Sequence, residues 1–345
     1  MIDVLVIDDS AYNRVTLSRI LESHRGIRVV GTAVNGEDGI KQVLRHNPDV
    51  VTLDLEMPVL DGFAFLRWIM ANRPLPVIAV SSKSSDRSVF KALELGAIDF
   101  IAKPGGRVSP RLTEIEKDLV AKVLQTVDVR IENVRRRVEE DEARAVEAPR
   151  IAGVCAGIDL VAIGSSTGGP PALQHIFQNL APLPIPFVVA QHMPPSFTRL
   201  FAERVNRLSE FEVREAANGE RLEPGTVYIA PGGVQMEIER TGEGLRARVL
   251  PAKPSELYAP SVDRLFATAS AACGNRLVAV VLTGMGDDGS KALREVKERG
   301  GRTIAESEES AIIFGMPAAA IKTGAVDEIV PLSDIAAALH RLCTH

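Results

Sequence analysis

Five short β-branched runs, VLVID, RVVGTAV, DVVTLDL, PVIAVSS and AIDFIAK, alternate with helix-length segments over residues 1–104. A chain that passes through a helix before each return to its sheet pairs in parallel, so this stretch predicts an open parallel sheet with helices on both faces. A second series starts at IDLVAIG and continues through PFVVAQ, GTVYIAP, RLVAVVLTG and GRTIAE. Helical patterns fall near 196–209, 261–272, 289–299 and 333–343. Residues 211–250 read differently, as a locally antiparallel, hairpin-like insertion with NGERLEPG as its turn. The expected fold class is α/β: two doubly wound parallel-sheet domains, the second with a small antiparallel insertion.

At 345 residues the chain is long for one core. Between the two series, residues 107–150 hold ten basic and ten acidic side chains. There Ile115, Leu119, Val123, Val127, Ile131 and Val134 recur at helical spacing. The expected division is therefore a first domain at 1–106, its last helix and a charged linker at 107–150, and a second domain at 151–345. The linker should fray around EEDEARAVEAPR. A net charge of -5 leaves no electrostatic footprint for nucleic acid, and no basic helix-turn-helix pattern appears in the second half. Cys155, Cys273 and Cys343 are odd in number and in no metal-ligand spacing, which favours reduced thiols. MIDVLVIDDS lacks the basic start of a secretory signal, and no apolar run nears the roughly 18 residues of a membrane span. These features predict a cytoplasmic protein with no membrane insertion.

Asp8 and Asp9 follow the strand VLVI, and Asp54 closes DVVTL. Functional groups of a parallel sheet gather outside the carboxyl ends of its strands, so the three carboxylates should converge. Ser81 and Lys103 end two more strands on the same rim. Like charges brought together repel unless a cation joins them, and hard oxygen donors suit Mg2+. Each aspartate taken singly reads more simply as a residue that caps or ends an element. The set of five strand ends, with DDS, LDLEMPVLDG, VSS and AKPGG, resembles the receiver domain of bacterial response regulators over about the first hundred residues. The resemblance implies a flavodoxin-like receiver in which Asp54 accepts phosphate from a sensor histidine kinase. It implies that Asp8, Asp9, Asp54 and the carbonyl of Glu56 bind Mg2+. By the same likeness Ser81 and Lys103 sense the phosphoryl group, and Phe100 stands where the family has its switch aromatic.

In the second series, LVAIGSSTGGPPAL places a glycine turn between a strand and a helix opened by prolines. A Walker loop is excluded because Pro170, not lysine, follows Gly169, and this turn lacks the G-x-G-x-x-G spacing of a dinucleotide site. Gly164-Ser165-Ser166-Thr167-Gly168 matches G-x-S-x-G and singles out Ser166, although a phosphate-binding or purely structural turn also fits. A serine nucleophile needs a base. His192 follows the strand PFVVA directly, whereas His175, His340 and His345 lie in or beyond helices. A carboxylate from GMGDDG, either Asp287 or Asp288, would orient that imidazole. The order Ser, His, Asp differs from the α/β-hydrolase, chymotrypsin and subtilisin orders.

IGSSTGG, QHMPPSFT, YIAPGG and LTGMGDDG, joined to a receiver, resemble the bacterial chemotaxis protein-glutamate methylesterases across essentially the whole chain outside the linker. That likeness implies a Rossmann-like hydrolase with Ser166 as nucleophile, His192 as base and Asp288 as the orienting carboxylate. Thr167 and the backbone at Met285 would assist near the oxyanion. The implied substrates are glutamate methyl esters, and certain glutamines, on methyl-accepting chemotaxis receptors. No cofactor is implied for the ester chemistry. A receiver with a DNA-binding output and a non-catalytic adaptor on the same fold are the competing readings.

Overall fold

A computed structural model describes residues 1–82, 86–103, 115–143 and 157–344. Pro104, the domain limits expected at 106 and 150, the linker beyond Ala143, Cys155 and His345 lie outside the described residues. The chain divides into two compact units, Met1–Ala145 and Val146–His345.

The first unit runs β1 (Ile2–Ile7), α1 (Ala11–Glu22), β2 (Ile27–Ala33), α2 (Gly36–His46), β3 (Val50–Leu53), α3 (Gly62–Asn72), β4 (Val77–Ser82), α4 (Asp86–Glu94) and β5 (Asp99–Lys103), then α5 (Glu116–Gln125) and α6 (Ile131–Ala143). Its strands form one parallel sheet in the order β2-β1-β3-β4-β5. The strand order reverses between β1 and β3, which opens a crevice at their carboxyl ends. Ile7 pairs with Leu53, so Asp8 and Asp54 emerge side by side, and Ser82 pairs with Lys103 on the same rim.

The apolar stripe expected over 115–134 is broken. A 3-10 turn at Thr126–Asp128 separates α5 from α6. Thr126 donates its hydroxyl back to the carbonyl of Val123 at 2.7 Å, which competes with continued helix. Leu119, Val123 and Val134 are buried as expected, but Val127 is 71% exposed.

The second unit runs β6 (Leu160–Ser165), α7 (Gly169–Asn179), β7 (Phe187–Gln191), α8 (Pro195–Leu208), β8 (Glu212–Glu215), β9 (Thr226–Ile229), β10 (Val234–Thr241), β11 (Gly244–Pro251), α9 (Val262–Cys273), β12 (Leu277–Val281), α10 (Ser290–Glu298), β13 (Arg302–Glu306), α11 (Met316–Lys322), β14 (Glu328–Val330) and α12 (Leu332–Thr344). Seven strands pair in parallel in the order β14-β13-β12-β6-β7-β9-β8. The central strand β6 is buried at every residue, as a strand covered on both faces must be. From β6 the chain first adds strands on one side and later on the other, so the crevice opens at its carboxyl end, where Ser166 follows.

The antiparallel insertion is present but narrower than 211–250. It is the two-stranded hairpin of β10 and β11, turning between Thr241 and Gly244. NGERLEPG instead connects β8 and β9, which pair with each other in parallel as part of the main sheet. The connection is tied to the hairpin by main-chain bonds, among them Leu222 N–H to Leu245 O at 2.9 Å. Its turn residues therefore serve a crossover edge, with no strand reversal between β8 and β9.

Candidate active site

In the first unit, the three aspartates meet as the strand ends predict. Oxygens of Asp8, Asp9 and Asp54 all lie within 4.8 Å of one another. Lys103 Nζ reaches between two of them, 2.8 Å from Asp8 Oδ2 and 2.6 Å from Asp54 Oδ2. Asp8 is steadied further by the Asn13 side chain (3.1 Å) and the Ser10 N–H (2.9 Å). The Glu56 N–H donates to Asp54 Oδ1 at 3.4 Å, which fixes the turn that carries Glu56. Gly62 permits this turn: a Cβ there would stand 2.4 Å from the Asp54 carbonyl oxygen. Ser81 and Phe100 are both buried. Lys122 Nζ bonds the Phe100 carbonyl and lies 5.3 Å from its ring centroid.

Burial pushes the Asp54 carboxyl up to about 6; Lys103 opposes this and Asp8 adds to it. The folded protein thus holds a proton on Asp54 more tightly than the unfolded chain does. The favourable contribution is complete below the ordinary carboxylate value and is lost as pH rises through about 6. An asparagine at 54 escapes that loss. Asp54→Asn should therefore stabilise the receiver at pH 8 by about 1–3 kcal/mol, a gain that shrinks to nothing near pH 4. Denaturant unfolding of the receiver transition at both pH values checks this; a gain that grows on acidification refutes it.

In the second unit, the turn after β6 is held through its backbone. Ser166 N–H donates to Thr283 O at 3.0 Å, and the Ser166 carbonyl accepts from Gly169 N–H at 2.8 Å. Gly168, the residue before α7, has φ +77°, a conformation that favours glycine. Gly169 has no room for a side chain, since a Cβ there would be 2.0 Å from Gln191 Oε1. The Ser166 Cβ packs against Gly284, and the turn through Met285 is fastened by Met316 N–H to Gly284 O at 2.7 Å. Thr167 is buried, and its carbonyl accepts from the Thr283 hydroxyl at 3.0 Å.

Gln191, at the end of β7, links the serine turn to the histidine. Its Nε2 donates to the carbonyls of both Ser166 and His192 at 2.9 Å, while its Oε1 accepts from Ser165 Oγ at 2.6 Å. His192 Nε2 lies 2.9 Å from Asp288 Oδ2. Asp288 also receives the Val262 N–H (2.7 Å), the Asp263 N–H (2.9 Å) and the Ser261 hydroxyl (3.0 Å) at the N-terminus of α9. Burial raises the Asp288 carboxyl, but its bonds from His192, Asp263 and Val262 outweigh burial and hold it below the ordinary range. Asp287, its neighbour, is exposed, and among the described residues its side chain makes no hydrogen bond to that cluster. His175 is buried within α7, and its carbonyl accepts from Asn179.

Sequence reading did not single out Gln191, Ser261 or Thr283. Ser261 carried a signal, an N-cap serine in PSVD before a helical run. Gln191 and Thr283 are polar residues at strand ends whose partners are distant in sequence.

Two parallel α/β units, one with a carboxylate crevice crossed by a lysine and one with a serine turn beside a His–Asp pair, define a receiver joined to a hydrolase. The CheB methylesterase family model matches residues 161–339, and the response regulator receiver domain matches 4–111. This chain belongs to the CheB methylesterase family, as an ester hydrolase with a receiver domain. A protein of Geobacter sulfurreducens named protein-glutamate methylesterase/protein-glutamine glutaminase 3 is 45% identical over 99% of this chain and 97% of its own length. The similarly named protein 1 of Myxococcus xanthus is 48% identical over the same shares. The crystal structure of the Thermotoga maritima CheB methylesterase catalytic domain covers 54% of this chain and 100% of that one, with 39% identity and a TM-score of 0.52.

Proposed function

We propose that this chain hydrolyses glutamate methyl esters, and deamidates certain glutamines, on methyl-accepting chemotaxis receptors, with Ser166, His192 and Asp288 as its catalytic residues. The observation that carries the reading is the 2.9 Å contact of His192 Nε2 with Asp288 Oδ2, beside a serine turn tied to the same histidine by Gln191. With Nε2 engaged by Asp288, Nδ1 is the nitrogen that serves the hydroxyl. Ser166 Oγ attacks the ester carbonyl as its proton passes to Nδ1. The imidazolium, stabilised by Asp288, returns that proton to the departing methoxide, and methanol leaves. Water, deprotonated by the same nitrogen, then attacks the acyl-enzyme; glutamate is freed and Ser166 regains its proton. Main-chain N–H groups at Thr167 and Met285 stabilise the oxyanion, a contribution of roughly 3–4 kcal/mol per donor in studied enzymes.

The receiver regulates this activity. Asp8, Asp9 and Asp54, with the Glu56 carbonyl, would hold Mg2+; the converging hard oxygen donors fit that ion. Bound there, the ion supplies neutralisation of charge during phosphoryl transfer to Asp54. Lys103 and Ser81 then bind phosphoryl oxygens, with a sensor histidine kinase as donor. No helix among the described residues is long and apolar enough to cross a membrane, which accords with a cytoplasmic enzyme acting on the cytoplasmic part of its receptors.

Methanol release from methylated receptor membranes tests both halves. A small phosphodonor should raise the rate by roughly 5- to 150-fold, the usual range of allosteric coupling, and Asp54→Ala should abolish that rise. An equal rate with and without phosphodonor would sink receiver control.

A further inference from the structure

Tyr258 lies in the segment between β11 and α9, and its ring is stacked on the imidazole of His192. The ring centroids are 4.4 Å apart and the planes differ by 4°. Such a parallel pair needs a fixed backbone, and the segment is fastened on two sides. Gln235 in β10, fully buried, donates Nε2 to the Tyr258 carbonyl at 2.7 Å and accepts the Ser261 N–H on Oε1 at 2.8 Å. Glu256 receives the Lys253 N–H at 2.7 Å and pairs with Arg264 of α9 at 2.5 Å. On its far side the phenol reaches the turn of Asp288: a Cβ on Gly286 would stand 2.7 Å from the Tyr258 oxygen. The hairpin of β10 and β11, which supplies no residue to the Ser–His–Asp set, thereby holds an aromatic ring against the base.

We propose that Tyr258 is a positioning residue of the esterase, whose ring keeps the His192 imidazole in the plane that serves Asp288 and Ser166 together and favours its charged form during turnover. A flat ring over an imidazole opposes rotation about χ2, and the negative face of an aromatic ring attracts the imidazolium once it forms. Among the described residues, the titratable groups in contact with this imidazole are Asp288, bonded to Nε2, and Tyr258, stacked on the ring. Asp287 acts on Tyr258, and Asp263 is coupled to Asp288. Burial and these two aspartates, 288 before 287, raise the phenol above its ordinary value, so the ring stays neutral at working pH.

This inference rests on His192 serving as the base for Ser166. Its test compares Tyr258→Leu, which keeps apolar bulk without a ring, with Tyr258→Phe. Methanol release is measured across pH on methylated receptor membranes, with Ser166→Ala in parallel. In Tyr258→Leu, kcat should fall about tenfold with KM within about twofold. The acid limb of kcat/KM should move down by roughly half to one pH unit, because the imidazolium has lost its π face. Phenylalanine should restore most of both. An unmoved acid limb in Tyr258→Leu, or a Tyr258→Phe enzyme no better than Tyr258→Leu, overturns the role. If Ser166→Ala still releases methanol at the wild-type rate, the nucleophile reading has failed instead, and the two failures are told apart.

Discussion

Ser166→Ala is expected to fold normally and to lose methanol release by roughly 10^4- to 10^6-fold, the range seen when the nucleophile of a Ser–His–Asp set is removed. The fold should survive because the turn is held by the main chain of residue 166, not by its hydroxyl. The N–H donates to Thr283 and the carbonyl receives Gly169 and Gln191, bonds that alanine makes equally well. Stability should stay within about 1 kcal/mol of wild type, as for a surface-like change that empties no cavity. A normal unfolding curve with a rate near wild type would remove Ser166 from the chemistry.

The second large effect belongs to Asp288. Its two oxygens receive Val262 N–H, Asp263 N–H, the Ser261 hydroxyl and His192 Nε2. Asparagine offers one acceptor oxygen, and its amide group then faces N–H donors that were satisfied. Asp288→Asn should lower kcat by roughly 10^4 through the wrong imidazole tautomer. It should also destabilise the domain by about 1–3 kcal/mol through donors left unpaired at the start of α9. Asp287→Asn, at an exposed position, should change the rate by no more than about threefold. Methanol release and denaturant unfolding of the two variants check the ranking, and the reverse order would reassign the carboxylate.

A pH dependence goes with this. Because the folded carboxyl of Asp288 lies below its ordinary value, its stabilising contribution is present above the unfolded pKa. It is lost only as pH falls through the lower folded value. The stability difference between wild type and Asp288→Asn should accordingly persist at pH 5 and fade in strong acid.

Much of both sites was legible before any coordinates. Asp8, Asp54 and Lys103 each close an apolar run, as do the turns bearing Ser166 and His192, and that pattern places them at the rims of two parallel sheets. Other features were not legible. Val127 kept helical spacing with its neighbours yet faces outward, because a threonine hydroxyl took a helix carbonyl. NGERLEPG had the chemistry of a hairpin turn, yet its flanking strands pair in parallel. Nothing local to Tyr258 indicates that it lies flat on a ring 66 positions earlier in the chain.

Period and punctuation are local properties, so they assign strands, helices and the residues at strand ends from the chain alone. Choosing between Asp287 and Asp288 needs a partner outside their turn. The amides of Val262 and Asp263 belong to a helix 25 or 26 residues earlier, and only the packing of α9 brings them to one of the two aspartates. Hydrogen bonds act over about 3 Å, and sequence distance carries no information at that scale until the sheet order is set.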